Sequence, residues 1–168
     1  GSEVVSEVIQ KYVSLPQGSI KLFNDNNSNN GYYNRRRLNQ YEGNKKLLVV
    51  RVTDLWERSI SGNAAHLSDK VFGTYGDQVN VKSGFDACSY GKLQMSNNYG
   101  NSNIDRKLSA PGVLSVKIWK SLSSSTQEEI VAASKAAAEA KLGFRLPGPF
   151  DHVMFTYENC YKVENQCN

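Results

Sequence analysis

Apolar residues run unbroken from Leu47 to Val50 and resume at Val52, inside the segment Lys46-Leu47-Leu48-Val49-Val50-Arg51-Val52-Thr53. A short β-branched run of this kind predicts a central strand buried on both faces, ended by Asp54. Ser61-Gly62-Asn63 then gives a helix-start signal before Ala64, Ala65, Leu67, Val71 and Phe72. The pattern predicts a short helix over about 63–72, closed by Gly73. Gly76-Asp77 reads as a turn, and residues 78–86 as extended or irregular. Loose alternation from Ala87 to Met95 suggests a strand, and the Asn/Gly-rich stretch 96–103 a loop. Gly112 to Trp119 alternates with a period of two, which predicts a strand with one wet face. Ser125 to Leu142 carries the clearest helical signal. Ser125 and Glu128 have capping-box spacing, six alanines lie between Ala132 and Ala140, and Gly143 stands where a left-handed cap belongs. Leu146-Pro147-Gly148-Pro149 is a stiff connection to a last strand at His152–Tyr157. The order strand, helix, strand, strand, helix, strand predicts an α/β layer. Its sheet should be largely parallel, with an antiparallel element from the middle strands.

The first 44 residues differ in character. Val4, Val5, Val8, Ile9 and Val13 give weak helical periodicity, which Pro16 and Gly18 interrupt. The run Asn24-Asp25-Asn26-Asn27-Ser28-Asn29-Asn30-Gly31 has almost nothing to bury and should be flexible. Residues 1–44 therefore read as a leader, arm or linker, and residues 45–168 as one folded domain. Arg35-Arg36-Arg37 inside the arm is a solvated basic cluster or a processing site, since an accessible basic run is easily cut. A basic and aromatic nucleic-acid patch has no supporting motif. Asn26-Asn27-Ser28 is an N-glycosylation sequon at Asn26.

Length and charge narrow the picture further. At 168 residues the chain can bury a core without staples. No apolar stretch approaches 18 residues, so no transmembrane helix is expected. The net charge of +4 is too small to argue for nucleic acid. The three cysteines Cys88, Cys160 and Cys167 include no C-x-x-C pair. They suggest one disulfide of open pairing plus one remaining thiol.

No catalytic constellation is complete. Phosphate-binding glycine motifs and a G-x-S-x-G elbow are missing from the sequence. Two histidines cannot make a three-His metal site. His66, in the short helix, and His152, opening the last strand, read as structural or surface residues. Cys88 reads as a small buried or bridged residue rather than a nucleophile. Asp54, Asp69, Asp77 and Asp86 show no paired spacing, and Asp151 beside His152 reads as a turn residue. No catalytic and no metal residue is assigned.

Several blocks in order nevertheless resemble a known family. They are Leu47-Leu48-Val49-Val50-Arg51-Val52-Thr53-Asp54, Leu67-Ser68-Asp69-Lys70-Val71-Phe72-Gly73-Thr74, Gly76-Asp77, Val79-Asn80-Val81-Lys82-Ser83 and Cys88-Ser89-Tyr90-Gly91-Lys92-Leu93. Gly112-Val113, Val116, the Ala-rich helix and Phe150-Asp151-His152-Val153-Met154-Phe155 continue the match to about residue 157. Together they resemble the start of the gametolysin (peptidase M11) metallopeptidase domain. That family comprises secreted zinc endopeptidases, metzincin-like in fold, some acting on cell-wall or matrix glycoproteins. Their zinc motif is H-E-x-x-H on a helix, with a third His. The Glu polarises a zinc-bound water whose pKa the metal lowers.

The resemblance implies a metzincin-like, mixed but mostly parallel twisted sheet with two helices. That sheet would be incomplete, because the zinc-binding helix is expected after residues 152–157. No H-E-x-x-H occurs in these 168 residues. The chain is then the N-terminal portion of a secreted zinc endopeptidase, inactive alone and without a cofactor of its own. Zinc is expected in a full-length relative, and residues 1–44 become a pro-segment-like arm. The implied partner is a protein or glycoprotein substrate, with no nucleic acid or membrane. The implied location is extracellular. The alternative is a non-catalytic extracellular binding or matrix module built on the same fold. An incomplete sheet should also leave apolar surface uncovered on one face, with Leu48, Val50, Val116, Val153 and Phe155 divided between the two faces.

Overall fold

The structure is a computed structural model describing residues 42–158. The expectations for residues 1–41, including Asn26 and Arg35-Arg36-Arg37, and for Cys160 and Cys167 fall outside the described residues. These residues form four strands and four helices in the order β1 (Gly43–Thr53), α1 (Ala64–Phe72), α2 (Val81–Cys88), β2 (Leu93–Ser96), α3 (Ser102–Asp105), β3 (Val113–Lys117), α4 (Gln127–Leu142) and β4 (His152–Thr156).

The sheet is organised around β1, which pairs in parallel with all three other strands. Residues Gly43 to Lys46 face β2, Val49 to Thr53 face β3, and Leu47 to Arg51 face β4. Because the β3 and β4 registers overlap at Val49 to Arg51, those two strands occupy opposite edges of β1. Asp151 fixes the β4 register: its carboxylate accepts from Lys46 N at 2.7 Å, and its own amide donates to Lys46 O at 2.9 Å.

The apolar run of β1 sorts by parity, as a strand must. Leu48, Val50 and Val52 join Leu114, Val116, Ile118, Ala138 and Leu142 in one cluster beneath α4. Leu47 and Val49 join Leu67, Val71, Phe72, Val113 and Met154 in a second cluster beneath α1. The chain crosses from β1 toward β3 and then returns past β1 to β4. Crossovers of one hand in opposite directions place their helices on opposite faces. The result is a sheet covered on both sides, as the β1 pattern predicts. The Ala-rich face of α4 lets that helix approach closely, with Ala138 fully buried.

Several expectations need correction. The sheet contains no antiparallel strand pair among the described residues; only an isolated bridge, Ala110 to Val113, is antiparallel. The described residues form four helices rather than two. Residues 81–88 are helical rather than extended. Asn80 and Ser83 cap each other's backbone amides reciprocally, which starts α2 despite Gly84 in its interior. The strand expected at 87–95 shrinks to Leu93–Ser96, and α3 forms inside the expected loop. The cap of α4 is Thr126 with Glu129, one residue later than the Ser125 and Glu128 pairing. Strand β3 alternates as expected, with Leu114 and Val116 buried on the α4 side and Ser115 and Lys117 on the wetter face; Val113, at the start of that same face, is buried against the α1-side core. Leu48, Val50, Val116, Val153 and Phe155 do not divide between the faces: all five pack in the α4 cluster. The helix expected over about 63–72 forms over Ala64–Phe72, with Asn63 from the expected start signal as its cap and Gly73 as its expected terminus.

Tyr99 ties the loop after β2 to the centre of the sheet. Its buried hydroxyl donates to Leu47 O at 2.8 Å, and its ring meets Phe150 edge-on at 4.9 Å. Burial holds the phenol well above the ordinary tyrosine range.

Candidate functional site

Strands β1 and β3 are neighbours, yet they send their connections to opposite faces. In open α/β sheets such a switch point opens a crevice at the carboxyl ends of the strands, where ligands bind. Here the switch point lies between the loop 54–63 after β1 and the loop 118–126 after β3.

Asp54 builds the floor. It is fully buried, and a buried carboxylate must be paired and hydrogen-bonded. Its Oδ1 accepts from Trp56 N at 2.8 Å and Arg58 N at 2.9 Å. Its Oδ2 accepts from Arg58 Nε at 3.0 Å, Arg58 Nη2 at 2.8 Å and Leu122 N at 3.3 Å. Arg58 Nη2 extends the network to Ser121 Oγ and Ser123 Oγ, each at 3.2 Å. One carboxylate therefore holds both loops. Burial alone would push the Asp54 carboxyl upward, but the bonds from Arg58, Leu122 and Trp56 outweigh it and leave it below the usual carboxylate range.

The rim is built from the same two loops. Glu57 adopts a left-handed conformation, φ 62°, rare for a residue with a side chain. Its amide donates to Asp54 O, and its carboxylate pairs with Lys117 at the end of β3. Lys117 also lies over the Trp119 ring, 5.2 Å from its centroid. Leu55 N donates to Lys120 O at 3.2 Å. Trp56 and Trp119 stand out from this frame 67% and 76% exposed. A rigid polar floor beneath two exposed indoles is a surface that can bind. It offers no nucleophile with a neighbouring base.

The histidines lie apart from this crest. His66 is exposed on α1. His152 is half-buried at the start of β4, at the opposite end of the sheet. Among the described residues no group of three or more His, Cys, Asp or Glu side chains could hold a metal ion. These residues therefore do not fit a zinc centre, and no chemical step is assigned through one. Burial, reinforced by Lys45, lowers the His152 pKa, with Asp151 acting in the other direction. The sign follows from linkage: a depressed His costs nothing above its unfolded pKa of about 6.5 and destabilises as pH falls below that value. A urea-melt series from pH 7.5 to 5 is expected to show declining stability. His152→Gln should flatten that slope, and an unchanged slope would contradict the assignment.

Cys88 is exposed at the end of α2 rather than buried, and the cysteines it could bridge, Cys160 and Cys167, fall outside the described residues. Asp151 serves as the expected turn residue, with the added role of locking β4 to β1. Sequence reasoning passed over Asp54 as a strand terminator. The available signal was a lone carboxylate directly after an all-apolar central strand, where burial is forced. No described helix is long and apolar enough to cross a membrane.

The exposure of Trp56 and Trp119 leads to a separable expectation. Trp56→Ala with Trp119→Ala should change unfolding free energy by less than about 0.5 kcal/mol, as exposed substitutions do. A larger loss in a denaturant melt would mean that the indoles support the fold. Comparison of the chain with protein-family models, curated proteins and solved structures finds no match.

Proposed function

We propose that residues 43–158 form the sheet-bearing, substrate-facing part of a gametolysin-like (M11) zinc endopeptidase domain of an extracellular protein. On this reading the segment contributes binding and rigidity, and residues outside those described contribute the metal chemistry. The observation that carries the proposal is the crest at the carboxyl ends of β1 and β3. It is held rigid by Asp54 and Arg58 and presents Trp56 and Trp119 to solvent, without a ligand or nucleophile of its own. The block order of the sequence supplies the family, and the parallel α/β sheet is compatible with it.

The second reading is a non-catalytic extracellular binding or matrix module. It is favoured by the fact that α1 and α4 already cover both faces of β1.

One experiment separates the two readings. The natural translation product carrying these residues is purified, its metal content is measured, and its cleavage of gelatin and a cell-wall glycoprotein is followed with and without a chelator. The proposal expects one zinc per chain and chelator-sensitive cleavage. It also expects Trp56→Ala with Trp119→Ala to raise KM with zinc content unchanged. A metal-free protein that binds these polymers without cutting them overturns the peptidase reading and supports the module.

A further inference from the structure

Helix α2 is amphipathic in sequence, yet none of its residues is buried. Val81, Phe85 and Cys88 fall at helical spacing on one face. Val81 touches the α1-side core, but the stripe then runs off that core. Phe85 is 38% exposed and Cys88 is exposed. Val79 and Tyr90, flanking the helix, are 85% and 93% exposed. Tyr90 is also held at φ 54°, a left-handed conformation that turns the chain back toward β2. Apolar side chains left exposed along one helix and at both its ends mark a surface that something covers.

We infer that the strip is the docking surface for the chain's own segment Tyr32–Tyr41. Three features select this occupant. The first is the point of entry. Residue 42 leads into β1 beside the α2–β2 turn: Gly43 N donates to Lys92 O at 2.6 Å, and Gly91 N donates back to Asp86 O at 2.8 Å. Glu42 also pairs with Lys92. The segment immediately before Glu42 is therefore tethered next to the strip. From Tyr32 to Gly43 an extended chain spans at most about 40 Å, while α2 is only about 12 Å long. Such a short tether gives an effective concentration of order millimolar.

The second feature is composition. The segment carries Tyr32, Tyr33, Leu38 and Tyr41 to cover apolar surface, and Arg35-Arg36-Arg37 between them. Asp86 on α2 is exposed and takes part in none of the ion pairs of the described residues, which gives the arginines a carboxylate to meet. The third feature is where the chain leaves the sheet after β4. Residues 159–168 leave from the carboxyl end of β4, which registers with Arg51. That point lies about 26 Å along β1 from Gly43, eight residues at about 3.3 Å each.

The docked segment would shield Arg35-Arg36-Arg37 from proteolysis and place its release under the control of the α2 surface. Cys88 is a native handle for the test. In the full chain carrying Cys160→Ser and Cys167→Ser, Cys88 is labelled with benzophenone maleimide, irradiated, and the cross-links are mapped by mass spectrometry. Cross-links to residues 32–41 are expected. Cross-links confined to residues 1–31, to 159–168 or to a second copy, or none within the protein, overturn the proposal. A second measurement leaves all cysteines native. Hydrogen exchange in α2 is compared between the full chain and a Tyr32→Ser, Tyr33→Ser, Leu38→Ser variant. A several-fold faster exchange of residues 81–90, with α4 unchanged, is expected. Equal exchange in the two proteins overturns the docking.

Discussion

Asp54→Ala is expected to lower the unfolding free energy by about 3–5 kcal/mol, the cost of removing one partner from a buried ion pair. The loss comes from the groups left behind. Arg58 loses its carboxylate, and the amides of Trp56, Arg58 and Leu122 lose their acceptor inside the fold. Each unsatisfied group costs about 1–3 kcal/mol before relaxation, so partial rescue by water still leaves a large loss. Asp54→Asn keeps an acceptor but loses the charge, and should cost less than half as much. Denaturant melts check both variants. A loss under 1 kcal/mol for Asp54→Ala would show that the two loops hold themselves without it.

The same network has a pH signature. The folded carboxyl sits below its unfolded value of about 3.9. Its contribution is therefore complete above about pH 4 and is lost as pH falls through the folded pKa. Acid melts of Asp54→Asn should lack that component when subtracted from the parent curve.

Gly112→Ala is expected to cost about 2–4 kcal/mol for a different reason. Gly112 precedes β3 with φ 77°, a region that an L side chain enters only at a cost. Space is also lacking: a Cβ there would collide with Phe72 Cε2 and lie 2.7 Å from Asn97 Cβ. Phe72 is buried at the end of α1, so it cannot yield without disturbing the α1-side core. Gly112 O also accepts from Val49 N at 2.9 Å, so any shift of the turn pulls on the central strand. Thermal unfolding of Gly112→Ala reads the result directly. A Tm within about 2 °C of the parent would contradict the crowding argument.

These two positions show what the sequence displayed and what it concealed. The all-apolar run of β1 fixed a strand covered on both faces, because no one-sided strand tolerates Leu47, Leu48, Val49 and Val50 in succession. Asn63 and Gly73 marked the ends of α1, since caps act locally and are visible within a few residues. Helix α2 was hidden. Its start depends on the reciprocal bonds of Asn80 and Ser83, and Gly84 lowers its propensity. The parallel pairing of β2 was hidden for another reason. Four residues carry too little pattern to set direction, which comes from their partner residues Gly43 to Lys46. Asp54 looked like a strand terminator because burial arises only when the loops 54–63 and 118–126 close over it. The crest with Trp56 and Trp119 depends on the same closure. Their codes sit 63 positions apart, and the Glu57–Lys117 pair that brings their loops together follows from the β1–β3 register.

The most direct test of the functional proposal is the native transcript past the codon for Asn168. If residues 43–158 are the sheet-bearing part of a gametolysin-like domain, the frame continues and encodes H-E-x-x-H within roughly a hundred residues, the remainder of a domain of ordinary size. A stop codon directly after Asn168, or a continuing frame with no such motif, would contradict the peptidase reading and leave the Trp56 and Trp119 crest as a binding module.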